Sequence, residues 1–238
     1  MKKFSGSLLL FVLIIFLVKG SYAINHSSFS KVLAKYVTVN GDVNYKALSS
    51  NRSDLDNYLK FLQANPPKES WAKNEKMAYW INAYNAFTID LILQHYPLKS
   101  IMEINNGKPW DLNFITIGNI KYSLNHIEHE ILRKDFNDPR IHFAVNCASV
   151  SCPKLLNVAY EATTLSIQLD ASAKNFINNE QKNRLTPGAI DISKIFDWFA
   201  DDFKTYGGVI PFINKFASVK VSPDAKVKYK EYNWNLNE

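Results

Sequence analysis

From Lys73 to Tyr96 the chain repeats apolar residues at helical intervals, Met77, Trp80, Ile81, Tyr84, Phe87, Thr88 and Leu91, and Pro97 follows. This spacing predicts one long helix with a wide apolar stripe, stopped where proline disfavours helical geometry in the residue before it. So wide a stripe needs covering, and the flanking segments have matching periodicities. Ser28 to Val37 reads as a helix with Phe29, Val32, Leu33 and Tyr36 inward, ending before the Asn40-Gly41-Asp42 turn, after which Val43-Asn44-Tyr45 reads as a brief strand. Ser53-Asp54 caps a second helix through Leu62, stopped by Asn65-Pro66-Pro67.

Beyond Pro97 the period changes. Trp110 to Ile115 alternates, Gly118-Asn119 makes a turn, and Ile120-Lys121-Tyr122 completes a predicted hairpin. Ser123 or Asn125 caps a helix to Arg133, and Asp138-Pro139 turns into the apolar run Ile141 to Val145, read as a central strand. A helix over Leu165 to Asn179, a strand at Ala189 to Ile192, a Ser193-capped helix, and a last helix at Pro211 to Phe216 follow. Val219 to Val221 and Tyr229 to Trp234 are candidate edge strands. Helices outnumber strands, so the expected class is α+β: a helix-rich single domain, residues 24–238, around a small, mainly antiparallel sheet. With 47% hydrophobic and 21% charged residues in 238, the composition excludes disordered and disulfide-dense classes.

The first 23 residues read as a leader. Lys2 and Lys3 precede an apolar run, Leu8 to Val18, too short for a comfortable membrane span, and Ser21-Tyr22-Ala23 supplies small residues for cleavage before Ile24. Export is the expectation, to a bacterial periplasm by preference, with no membrane span after removal. Losing Lys2, Lys3 and Lys19 lowers the formal charge from +6 to +3, leaving 25 Lys and Arg against 22 Asp and Glu. So small an excess, unclustered, does not point to nucleic acid.

Five separated segments resemble bacterial members of the domain of unknown function 547 family: Tyr79 to Phe87, Ile127 to Arg133, Asp138 to Ser149, Ser151-Cys152-Pro153, and Trp198-Phe199 with Asp202-Phe203. The ending Tyr232 to Asn237 is also similar. Because the family is named for its unknown role, the resemblance implies no activity.

Chemistry must therefore be read from the polar residues. Cys147 and Cys152 are the only cysteines, and three uses stay open. Export favours a disulfide between them, leaving a non-enzymatic binding or accessory domain. Alternatively Cys147, set after an apolar run among small residues, is the nucleophile of a hydrolase or acyl transferase acting on amide or peptide bonds of the cell envelope. Papain-like and transglutaminase-like enzymes use such sets on mixed scaffolds. His129 is then the base, oriented by Glu128 or Asn82, with backbone N–H groups near Ala148 holding the oxyanion. His142 is disfavoured, because five positions of extended strand at ~3.3 Å each would hold it ~17 Å from Cys147. Third, Cys147, Cys152 and His129, with His142 or Glu128, could ligate zinc. His126, His129 and Glu130 could make a surface metal site, although Asn125 to His129 lacks zincin spacing.

Asn82 and Asn85, amides in an apolar helix, are expected to pin the loop from Asn146 to Cys152 or to join the site. Arg133 and Arg140 pair with Glu128 or Asp138, or clamp a substrate carboxylate. Asn146, Ser151 and His142 complete the candidate binding residues. No cofactor is assigned, and the expected partner is an unidentified substrate or envelope component.

Overall fold

A computed structural model describes residues 24–238; the leader expected at 1–23 lies outside the described residues. Helices α1 (Ser27–Tyr36), α2 (Tyr45–Ser49) and α3 (Ser53–Ala64) lead to the long helix α4 (Lys73–His95). The strand expected at Val43 to Tyr45 reduces to one antiparallel bridge, Val37 to Val43. The Asn44 side chain accepts the Ala47 N–H at 2.9 Å, which starts α2 immediately afterwards.

Helix α4 is buried on nearly every face, from Met77 to Leu93, rather than along one stripe. It packs against α2, α3 and the 126–132 segment. Its amides make this burial tolerable. Asn82 donates to Tyr160 O at 2.8 Å and accepts Tyr160 N–H at 2.9 Å. Asn85 donates to Ala144 O at 2.9 Å and accepts Asn146 N–H at 2.8 Å. Buried amides saturated in this way pin the flanking loops to the helix.

Two short 3-10 segments, Ile101–Gly107 and Pro109–Asp111, precede the hairpin β1 (Ile115–Ile117) and β2 (Ile120–Tyr122), so the first strand begins at Ile115, where the expected one ended, and Trp110-Asp111 coils instead. Then Ser123 Oγ accepts the His126 N–H at 3.1 Å, and the backbone widens into a π-helix at His126–Leu132 before α5 (Arg133–Phe136). The strand expected at Ile141 to Val145 is absent. Asp138 Oδ1 accepts the Arg140 N–H at 3.0 Å and Pro139 takes the first turn, so Pro139–Phe143 coils as a 3-10 helix. Its apolar run is buried by packing on α6 (Leu165–Ile177), which is why it resembled a central strand.

The second sheet has the order β3 (Arg184–Leu185), β4 (Ala189–Ile192), β5 (Lys226–Tyr229), with α7 (Ile195–Trp198), a 3-10 segment Ala200–Tyr206, and α8 (Val209–Phe216) between the last two. β3 pairs antiparallel and β5 parallel with β4; β5 starts after the first of the two stretches expected and ends at Tyr229, the first residue of the second. The class is α+β, helix-rich around small sheets.

Two apolar clusters form the interior. One gathers around α1 to α4; the other contains Phe143, Phe176, Phe196, Phe203 and Phe212. The 139–145 segment joins them, since Phe143 belongs to the second cluster while Ala144 and Val145 belong to the first. The C-terminal tail is tied across the same region. Asn235 bridges Ser100, Leu236 bridges Ser149, and Asn237 O accepts the Val43 N–H at 2.8 Å. Among the described residues no helix is long and apolar enough to cross a membrane.

Candidate functional site

A cleft of about 200 Å³ lies along this junction. Tyr84 from α4, Glu128 and His129 from the π-helix, His142 from the 3-10 turn, Cys147, and Trp198 and Phe199 at the end of α7 line it, and the tail adds Tyr232 and Trp234. Folding thus gathers into one wall residues scattered over some 150 positions. Cys147 and Cys152 are bonded to each other, with S–S 2.02 Å and Cα–Cα 6.2 Å.

Asp202 organises the polar side. Arg133 donates to both of its oxygens, Nε to Oδ2 and Nη2 to Oδ1, each at 2.7 Å. His142 Nε2 lies 2.7 Å from Oδ2. Burial alone would push the Asp202 carboxyl up, but hydrogen bonds and charge from Arg133 and His142 override it and hold the group well below the usual carboxylate range. Against an ionised carboxylate His142 Nε2 carries the proton, so in the neutral ring Nδ1 is the basic nitrogen. That Nδ1 has no hydrogen-bond partner among the described residues. His142 is 2% exposed and stacks on Phe199 at 3.9 Å between ring centroids.

His129 is placed differently. Arg133 Nη1 approaches its Nδ1 at 3.0 Å, and a guanidinium can only donate. The neutral His129 ring therefore accepts at Nδ1 and carries its proton on Nε2, which suits a donor better than a base. The ~17 Å separation that disfavoured His142 assumed an extended strand. The 3-10 turn removes that premise, and His142 lines the same cleft as Cys147.

Around the sulfurs, Cys147 N–H donates to Cys152 Sγ at 2.9 Å. The Tyr232 hydroxyl lies 3.3 Å from Cys147 Sγ and 3.4 Å from Cys152 Sγ. Burial pushes the phenols of Tyr232 and Tyr84 well above their ordinary values, the Glu128 carboxylate adding to both, so both remain donors at neutral pH. Ala148 sits at φ 58°, and its N–H donates to Asn146 Oδ1 at 2.9 Å. That N–H, expected at an oxyanion, is therefore committed within the loop. Asn146 Nδ2 also holds Pro153 O at 2.8 Å, so one buried amide clamps both ends of the bridged loop.

Other expected site residues lie elsewhere. Asn82 and Asn85 spend their amides on the backbone, as described above. Arg133 pairs with Asp202 rather than Glu128 or Asp138. Arg140 pairs with Asp138 at 2.6 Å and Asp170 at 2.7 Å. Ser151 Oγ accepts the Asn233 N–H at 2.8 Å, and His126 packs edge-on against Tyr122. The zinc arrangement does not form: both sulfurs are in the bridge, and among the described residues no group of three or more His, Cys, Asp or Glu is placed to hold a metal ion.

Sequence reasoning gave no chemical role to Asp202 or to the cleft's aromatic wall. Trp198-Phe199, Asp202-Phe203 and Tyr232 to Asn237 were visible as motifs, and the three-residue step from Phe199 to Asp202 was the available signal.

A family model described as Protein of unknown function, DUF547 matches residues 68–177. That span includes Glu128, His129, His142 and both cysteines, while Asp202, Trp198 and Tyr232 lie beyond it. No curated protein and no solved structure matches the chain.

Proposed function

With residues 68–177 matching the DUF547 family model, whose description assigns no role, we propose that the chain is a cysteine-dependent hydrolase or acyl transferase whose working form has the Cys147–Cys152 bridge reduced. The observation that carries this reading is an imidazole, His142, oriented by Asp202 and with its other nitrogen unpartnered, in the wall that also presents Cys147. His142 Nδ1 accepts the Cys147 thiol proton, and the thiolate attacks an acyl carbonyl. The Nε2–H of His129 and the Tyr232 hydroxyl are the donors nearest in kind to an oxyanion site. His142 returns the proton to the leaving amine, and water or a second amine then takes the acyl group from sulfur. The leader read at 1–23 makes amide or peptide bonds of the cell envelope the proposed substrate.

The test is the rate at which chloroacetamide alkylates Cys147 in the reduced, folded chain between pH 5 and 9. His142→Ala is expected to slow labelling at neutral pH by about tenfold or more and to change the shape of the pH profile. His129→Ala is expected to label close to the wild-type rate. Equal rates and profiles for wild type and His142→Ala, both folded, would refute the reading.

A second reading is favoured by the bridge itself: a binding or accessory domain in which the disulfide only braces the cleft, whose Trp110, Trp198, Phe199, Tyr232 and Trp234 suit a ring-bearing ligand. In that case a Cys147→Ala, Cys152→Ala chain keeps its fold, and N-acetyl-tyrosine amide still quenches its tryptophan fluorescence. Loss of quenching in the folded double variant would count against it.

A further inference from the structure

The two sulfurs of the bridge are not equivalent. Both line the cleft, but Cys152 is 4% exposed whereas Cys147 is half-buried. The hydroxyls of Tyr232 and Ser149 are shared, at 3.3 and 3.4 Å from Cys147 Sγ and 3.4 and 3.5 Å from Cys152 Sγ, but Cys152 alone also accepts a backbone donor, the Cys147 N–H at 2.9 Å. Hydrogen bonds of this kind favour a thiolate over a thiol, and a better-stabilised thiolate leaves faster in disulfide exchange. The more accessible sulfur is thus the one an incoming thiol meets, and the hidden one is the better leaving group.

The frame around the loop is independent of the bridge. Asn146 ties Ala148 to Pro153, Asn85 ties Asn146 to α4, and Val150 N–H and Ser151 N–H donate to Asn235 O and Asn233 O at 2.8 and 3.1 Å. Opening the S–S bond leaves these ties intact, so the sulfurs stay neighbours and the bond can re-form as an intramolecular step at high effective concentration. A bridge closing so short a loop also adds less chain-entropy stabilisation than one closing a long loop. Together these features fit a bond built to open and close.

We propose that Cys147 and Cys152 form an exchangeable thiol–disulfide couple, opened at Cys147 by an external dithiol with Cys152 as the leaving sulfur. One thiolate of the dithiol attacks Cys147 Sγ; the Cys147–Cys152 bond breaks and its electron pair goes to Cys152 as thiolate. The second thiol of the reductant, deprotonated by solvent, attacks the sulfur of its own that is bonded to Cys147, releases Cys147 thiolate and closes the reductant's own disulfide. The dithiol loses two electrons and two protons; the bridge gains both electrons, and the protons go to the cysteine sulfurs or the buffer. Opening arms Cys147, a consequence that rests on the catalytic reading above, although the exchange does not.

The full chain is held under native conditions in buffers of reduced and oxidised dithiothreitol, acid-quenched, and its free thiols are counted. Reversible opening to two thiols, with the mixed disulfide formed when a monothiol attacks the wild-type bridge mapped to Cys147, is expected. Tyr232→Phe removes a hydroxyl within reach of both sulfurs, which is free to turn to the Cys152 thiolate once the bond breaks, and is expected to slow opening by roughly threefold to tenfold. A bridge that millimolar dithiothreitol opens only after denaturation would overturn the proposal, as would wild-type monothiol adducts found on Cys152 instead of Cys147. Failure of the catalytic reading looks different: thiols then exchange as expected while chloroacetamide labelling ignores His142.

Discussion

Replacing His26 by glutamine should remove a specific acid sensitivity of this fold. His26 lies just before α1, fully buried, with Nδ1 2.7 Å from the Tyr58 hydroxyl and Nε2 unpartnered among the described residues. Burial lowers its pKa from 6.5 to about 4, because a charged imidazole there would exchange water for the rings of Tyr58 and Tyr79. Between those values the unfolded chain binds a proton that the folded chain refuses. The stability this gives is therefore full above pH 6.5 and is lost as the pH falls toward 4. For a shift of that size, linkage makes the loss between pH 7.5 and 4.5 about 2.5 kcal/mol. Glu161 works in the opposite sense, since burial raises its carboxyl while the His26 backbone N–H partly offsets the rise. It is present in both chains, so the difference between them isolates the imidazole. Urea unfolding followed by circular dichroism at several pH values supplies the numbers. Wild type should lose about 2.5 kcal/mol more than His26→Gln over this range; parallel pH dependences would refute the reasoning.

Two further perturbations test how the site is held. Asn85→Ala strips partners from the Ala144 carbonyl and the Asn146 N–H in a buried setting. It should cost about 2–4 kcal/mol in urea unfolding and quicken amide exchange at Asn146; an effect under about 0.5 kcal/mol would show that the loop does not depend on α4. Gly41 has φ +95°, and a Cβ there would meet Lys154 Cβ at 2.6 Å and Leu155 N at 2.9 Å. Gly41→Ala should therefore lose about 1–3 kcal/mol, whereas an unchanged unfolding midpoint would contradict this close approach to the chain just after the bridged loop.

Local pattern was enough wherever a segment's own spacing decides its state. Helix α4, the hairpin at Gly118-Asn119, α6 and the Ser193 cap, whose Oγ accepts the Ile195 N–H at 3.3 Å, were legible for that reason. Ile141 to Val145 misled because a short apolar run signals burial without specifying strand or turn; Asp138 and Pro139, three and two positions upstream, determined the turn. That local difference altered the candidate chemistry, since it removed the extended spacing that had set His142 aside.

By itself the sequence determined a helix-rich α+β chain, its only two cysteines, the resemblance carried by its motifs and Asn85 as an anchor of the central loop; the other helical amide expected there, Asn82, holds Tyr160 instead. Tertiary structure decided which polar groups meet. Asp202 lies sixty positions after His142 and sixty-nine after Arg133, and Tyr232 lies eighty-five after Cys147. No local periodicity encodes such distances; packing of the two apolar clusters against the 139–145 turn sets them. The same packing assigned each imidazole its tautomer, because Arg133 can only donate and ionised Asp202 can only accept.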